Sequence, residues 1–279
     1  MYYRNALTTR FGANKNSLRS DIPLTDDQIL SVAPSIYSEG KHESRSDRYS
    51  YIPTNVIYEK LKEEGFEAFM VCQTRTRKEG MQEHTKHMMR LRHRTHKAGD
   101  EANEIILINS HNGSSSYQMK AGMYRFVCAN GLVVGEDIAD IRVPHSGNVT
   151  DRVIEGVYEV VESFEQVNQH KEAMKALPLS IEAQHAFAEA ALSLRFDVDK
   201  QPAPVTAAQI LAPRRAQDTS NDLWTTFNRV QENIIRGGLN GRNKAGKRSR
   251  TRSVSGMDQD IKLNRALWIL GQELKKAVS

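Results

Sequence analysis

The stretch 103–134, NEIILINSHNGSSSYQMKAGMYRFVCANGLVV, constrains this chain more than any other. It holds the strongest apolar runs, the densest cluster of small hydroxyl residues and one of only two cysteines. Ile105, Ile106, Leu107 and Ile108 form a short β-branched run stopped by Asn-Ser-His-Asn-Gly. That is the pattern of a strand buried on both faces that enters a polar turn. The turn gathers Asn109, Ser110, His111, Asn112, Gly113 and three serines, and a polar site is expected between it and the segment carrying Arg125 and Asn130. No well-specified catalytic or phosphate-cradling motif is present in it.

The rest of the chain reads as an α+β fold. Residues 1–22 are polar and lack a clear period, which predicts an N-terminal arm. An α+β core is predicted over 23–147, with a three-stranded-or-larger antiparallel sheet and helices. Thr25 with Gln28 makes a capping box for a short first helix, and Thr54 is placed to cap a second. From Phe66 the period changes to two, and 84–94 follows as a second strand with Lys86, Met88, Arg90, Arg92 and Arg94 on one face. That alternation predicts a basic face turned to solvent. A short helix is expected over 122–129. Beyond Gly147 helix formers dominate, so 148–279 is predicted as a helical region with a basic loop over 236–253. Thr150 starts a long amphipathic helix to about Leu177, Ser180 caps the next, and Ser255 with Asp258 opens the last. Trp224, Phe227, Leu267 and Trp268 give these helices much apolar surface, and the region is expected to pack on the core.

Charge points to a partner class. The net charge is +5 and the pI about 9.1, but cations cluster: Arg236, Arg242, Lys244, Lys247, Arg248, Arg250 and Arg252 occur without an intervening acid. Such a run suits an arm that neutralises phosphates and orders on binding. With Arg75, Arg77, Lys86, Arg90, Arg92 and Arg94 it makes two basic surfaces, so nucleic acid is the expected partner, single-stranded DNA first. Tyr49, Tyr51 and Tyr124 are available as stacking platforms. No run approaches the roughly 20 apolar residues that span a bilayer, so a cytoplasmic protein without a membrane partner is expected, and a homo-oligomer is left open. Two cysteines, Cys72 and Cys128, are read as reduced core residues.

No cofactor is expected. His84, His87, His93 and His96 invite a metal reading, but His87 and His93 on one strand face lie about 20 Å apart at roughly 3.3 Å per residue. No carboxylate pair or Cys-x-x-Cys completes a metal site. His111 and Cys128 are of the types that make a thiol–imidazole pair for acyl transfer, but a lone apolar-flanked cysteine is usually core.

Several phrases together resemble a known family: Lys86-His87-Met88-x-Arg90-Leu91-Arg92, Asn109-Ser-His-x-Gly-Ser-Ser, Tyr124-Arg-Phe-Val-Cys-Ala-Asn-Gly-Leu132, Gly237-Gly-x-x-Gly241, and Thr251-Arg252 followed by Asn264-Arg-Ala-Leu-Trp268. The chain resembles domain-of-unknown-function family 932, the YfjQ- and YafZ-like proteins of phages, prophages and plasmids, over nearly its whole length. The resemblance implies a mobile genetic element and a bacterial cytosol, and supplies no catalytic residues. The order helix, three strands, helix also looks like the core of single-strand annealing recombinases, a likeness at the level of fold. The expected function is therefore DNA binding, in single-strand binding or annealing during recombination. The alternatives are a hydrolase or nuclease using the 109–116 turn, or an inhibitor of a host defence system.

Overall fold

The computed structural model describes residues 16–78, 80–95, 100–128, 130–134, 140–146 and 149–279, with the backbone alone at positions 128, 130 and 149. Most of the arm expected over 1–22, together with His96, lies outside the described residues, as do the side chains of Cys128 and Asn130. Cys72 is buried in the core. The chain divides into two compact units, Met1–Phe164 and Glu165–Ser279.

The first unit is built on an antiparallel sheet of β1 (Ser17–Arg19), β2 (Phe66–Gln73), β3 (His87–His93), β4 (Glu101–Asn109), β5 (Tyr117–Arg125) and β6 (Asn130–Val133), paired in that order. A further strand, β7 (Asp140–Val143), pairs with the first half of β5, while β6 pairs with its second half. Ile105 to Ile108 sit in β4 with less than 2% exposure, so the β-branched run is buried on both faces. The helix expected over 122–129 does not form. Residues through Arg125 are held in ladders by β4 on one side and by β6 and β7 on the other, leaving only a 3-10 turn, Phe126–Cys128.

Among the described residues, three α-helices belong to this unit. The first, α1 (Asp26–Val32), starts at Thr25 with the capping box complete, Gln28 N–H donating to Thr25 Oγ1 at 3.3 Å and Thr25 N–H to Gln28 Oε1 at 3.0 Å. For α2 (Thr54–Glu63) the cap position falls on Pro53, because the Thr54 hydroxyl is turned inward to His87. In α3 (Val149–Glu162) the buried stripe Val153, Val157 and Val160 faces the sheet side of the helix, which contacts β4, β5 and β7. The single long helix expected to about Leu177 is interrupted at Ser163. There the hydroxyl donates to the Val160 carbonyl at 2.6 Å, a side-chain bond that competes with the helical ladder.

The second unit contains α4 (Phe164–Lys175), α5 (Ile181–Arg195), α6 (Ala207–Leu211), α7 (Leu223–Arg236), the hairpin β8 (Asn240–Arg242) and β9 (Arg248–Arg250), and α8 (Met257–Val278). Ser180 caps α5, and Thr206 with Gln209 caps α6. At α8 the cap is Gly256 with no side-chain bond, so the Ser255 and Asp258 box does not form. Helix α7 is the centre of the unit, packing against α5, α6 and α8. Phe227 stacks on Trp224, with centroids 5.8 Å apart, and meets Trp268 edge-on at 6.3 Å. The later aromatic residues thus cover one another. Polar residues on α7 are also enclosed and are satisfied locally: Glu232 pairs with Arg215 and Arg236, and Asn233 Nδ2 donates to the carbonyls of Ile210 and Ala212.

Phe227 is fully buried between two indoles. Replacing it with alanine should remove about 3–5 kcal/mol of stability, read as a lowered denaturant midpoint. A loss within the range of an exposed substitution would show that α7 is not the packing centre.

Candidate functional site

The sheet carries a cluster of buried charge. Alternation places Arg90 and Arg92 on one face of β3, but that face is internal, with exposures of 1% and 2%. Arg90 Nη1 donates to Glu104 Oε2 at 2.7 Å and Arg92 Nε donates to Glu104 Oε1 at 2.8 Å, so one carboxylate on the neighbouring strand holds both guanidiniums. Burial pushes the Glu104 carboxyl up, and the positive charges of Arg92, Arg90 and Arg19 outweigh it and hold the group below its ordinary value. Arg92 lies 3.6 Å from the Tyr124 ring centroid, 4.5 Å from Phe69 and 5.3 Å from Phe126. Gly131 lets Arg90 pass: a Cβ at that position would overlap the guanidinium.

The expected solvent-facing strand surface is therefore corrected. Lys86 is half-buried, Arg90 and Arg92 are internal, and only Arg94, whose Nη2 donates to the Lys62 carbonyl at 2.8 Å, is exposed on β3's end. Arg75 and Arg77, after β2, are exposed. Tyr124 is buried under Arg92 and is unavailable to a base.

The polar turn is fixed but does not meet its expected partner. Asn109 Nδ2 donates to Thr54 Oγ1 at 3.0 Å and to the Ile52 carbonyl at 3.2 Å, and its Oδ1 accepts from Ser110 N–H at 2.7 Å. Arg125 pairs in register with Glu101, at the opposite end of β5 from Tyr117. Eight residue steps at roughly 3.4 Å each part the two places by about 27 Å. Asn109, Ser110 and His111 are thus together, whereas Arg125 and the backbone of Asn130 belong with the end of the sheet that carries Glu101.

What surrounds the turn instead is a group of histidines and tyrosines. Ser35 Oγ donates to Gln73 Oε1 at 2.6 Å, so it accepts from His87 Nδ1 at 2.9 Å, and Thr54 Oγ1 donates to His87 Nε2 at 2.9 Å. This chain assigns the Nδ1–H tautomer to His87 and leaves it a satisfied core residue. His111 is equally enclosed, between the rings of Tyr51 and His87, and among the described residues neither ring nitrogen makes a hydrogen bond of ordinary geometry, the Ser35 backbone being its one weak polar neighbour. Tyr49 stacks on His145 at 4.4 Å, and its hydroxyl donates to the Ser110 carbonyl at 2.7 Å. Burial holds His111 down at about 4 and, with the His111 charge, keeps His87 well below its ordinary value. The Ser110 hydroxyl bonds the Ser115 backbone and not an imidazole. Among the described residues no group of three metal-ligating side chains is arranged around a common point.

The basic loop is an ordered ribbon. Asn240 opposes Arg250, Gly241 opposes Ser249 and Arg242 opposes Arg248. With a period of two, Arg242, Arg248 and Arg250 share one face, and Gly241 and Ser249 the other. Gly241 is required by close approach, since a Cβ would overlap the Pro204 carbonyl oxygen, to which Arg242 N–H donates at 3.0 Å. Arg242, Lys244, Lys247, Arg248, Arg250 and Arg252 are all exposed, and no acid occurs between Glu232 and Asp258. Between the ribbon and the 203–206 segment is a cleft of about 810 Å³, lined by the three ribbon arginines with Thr206, Gln209 and Asn240. Sequence reasoning found the charges of this feature but not its partners, Pro204 and Gln209, which lie more than thirty positions earlier.

Comparison with known proteins places the chain. Residues 41–268 match the domain of unknown function DUF932, and the protein belongs to that family. It is similar to the UPF0380 proteins YafZ and YfjQ of Escherichia coli strain K12, each 55% identical over 268 residues, spanning 96% of this chain and 97% of the relative. No solved structure matches. No helix among the described residues is long and apolar enough to cross a membrane.

Two outcomes follow from the buried groups. Glu104→Gln strands two enclosed guanidiniums and should cost about 3–5 kcal/mol, measured by denaturant unfolding; a loss below about 1 kcal/mol would contradict the burial of that charge. His111 titrates near 4 in the folded chain and near 6.5 when unfolded. Its contribution is whole above pH of about 6.5 and is lost as pH falls through the interval to about 4, because only the unfolded chain takes the proton. Between about pH 7 and pH 5 that residue should remove about 2 kcal/mol. His111→Gln should flatten the pH dependence by that amount, and an unchanged slope would place the proton uptake elsewhere.

Proposed function

We propose that the chain is a nucleic-acid-binding protein that grips the phosphate backbone through its basic ribbon. The observation that carries this reading is the ribbon itself: six exposed cations in an acid-free stretch, three of them on one face beside a polar cleft. Phosphate contacts of this kind give affinity without base readout and make it depend on salt. The cleft's lining includes no aromatic side chain, so its contribution is to backbone binding. Tyr49 and Tyr51 are half-buried and tied through their hydroxyls to the Ser110 and Ser38 carbonyls, which makes them supports of the polar turn first.

The family resemblance extends the proposal to the DNA of a mobile genetic element. Single-strand binding or annealing during recombination needs strand capture irrespective of sequence, which is what backbone contacts supply. A hydrolytic role for the 109–116 turn has less support, because the turn pairs no nucleophile with a base.

The test is the salt dependence of binding. Replacing Arg242, Arg248 and Arg250 together with glutamine should weaken binding to single- and double-stranded DNA and lower the slope of log affinity against log salt by about 2–3. The order of preference among base sequences should stay the same. A slope equal to that of the parent, or no binding by the parent at about 50 mM salt, rejects the proposal.

A further inference from the structure

The buried arginine cluster leaves donors without acceptors. Arg92 spends only Nε on Glu104, and its Nη1 and Nη2 are both enclosed with no hydrogen-bond partner among the described residues. Arg90 Nε and the Tyr124 hydroxyl are enclosed and unpartnered as well. The aromatic rings around Arg92 account for the faces of its guanidinium, where cation–π attraction acts. They do nothing for the edge, where the N–H groups point in the plane. Two guanidiniums also share a single carboxylate, so the pair with Glu104 retains a surplus positive charge inside the fold. Enclosed donors and enclosed charge without partners are both costly, and both ask for the same thing.

We infer that the free edge of Arg92, with Arg90 Nε and the Tyr124 hydroxyl, forms an anion site for a phosphate-class oxyanion. The donor atoms number four and come from three side chains, which suits a tetrahedral anion with three or four acceptor oxygens better than a planar carboxylate with two. Arginine presents its two terminal nitrogens as a fork matched to such a group. The rim of the cluster carries Phe126, which is exposed and lies edge-on to Tyr124 at 5.2 Å, and the half-buried Arg19, 5.2 Å from the same ring. An approaching phosphate would meet these side chains first. Residues from two of the sequence phrases that mark the family converge here: Arg90 and Arg92 from the first, Tyr124 and Gly131 from the third, with Glu104 joining them from the strand between. This site is independent of the ribbon, which belongs to the other unit.

Two sources of phosphate chemistry are distinguishable, a free ion and the terminal phosphate of a nucleotide. The experiment titrates the full chain with inorganic phosphate and with a 5′-mononucleotide, using ³¹P line broadening and thermal unfolding, against chloride and acetate at matched ionic strength. Saturable binding of phosphate or the mononucleotide, kept when the three ribbon arginines are glutamine and reduced at least about tenfold by Arg92→Lys, is the expected result; a tenfold change corresponds to about 1.4 kcal/mol. The tighter of the two ligands names the source. Lysine retains the charge but not the fork, so a merely electrostatic role would leave affinity unchanged. Should Arg92→Lys fail to fold, Tyr124→Phe, which deletes one donor and keeps the ring, must weaken binding to the same ligand. The inference is overturned if acetate acts as strongly as phosphate, if the effect vanishes with the ribbon arginines alone, or if the parent binds neither ligand.

Discussion

The sheet of the first unit is organised by one buried carboxylate. Glu104 lies in β4, opposite β3, and takes one oxygen to each of Arg90 and Arg92. Without it, two cations would sit in an interior that cannot solvate them. With it, a strand whose composition suggests a solvent-facing surface becomes internal to the fold. The consequences reach β6, since Arg90 extends to the carbonyls of Leu132 and Gly131 at 3.4 Å and needs the missing side chain of Gly131 to do so. They reach β2 and β5 through Phe69 and Tyr124, whose rings flank Arg92. Breaking the ion pair is thus expected to disturb four strands at once, because each supplies a group whose placement assumes the guanidiniums are where they are.

Local signals were legible in the sequence, and facing was not. The Thr25–Gln28 box and the Ser180 cap are decided within a few residues, and both form as expected. Alternation along β3 also put Arg90 and Arg92 together. What alternation cannot say is whether the shared face meets water or a neighbouring layer, and here the face is covered. The overlooked sign was Glu104, an acid at the head of the apolar run 105–108. A carboxylate there requires a cation from an adjacent strand, and the most basic strand was next to it.

The site around the turn shows the same division. Short polar residues after a buried strand had to find partners, and Asn109 and Ser110 did so within their own surroundings. Joining the turn to Arg125 and Asn130 would need the intervening residues to fold back. The nine residues of β5 run straight instead, held by three neighbouring strands, and carry Arg125 to the far end. The histidines drawn to the turn come from segments far apart in sequence, with His42 N–H donating to the His111 carbonyl at 2.9 Å, His111 N–H donating to the His84 carbonyl at 3.1 Å and His145 stacked on Tyr49, so no spacing rule could have gathered them.

The two cation-rich segments differ in what opposes them, and that difference decides their chemistry. Arg90 and Arg92 face a carboxylate and aromatic rings across a sheet, so their charge is enclosed within the fold. In the ribbon Arg242 lies directly across from Arg248, a like-charge pair that weakens a hairpin. The hairpin nevertheless forms because its other face is glycine and serine, which allow the backbone of Arg242 to reach Pro204 and the Gln209 side chain to reach the Asn240 carbonyl at 2.7 Å. Backbone contacts on one face thus hold together a surface whose side chains repel one another on the other. Repulsion of this kind is relieved by an anion that approaches from outside, so affinity for a polyanion and tolerance of the strained ribbon have a common origin.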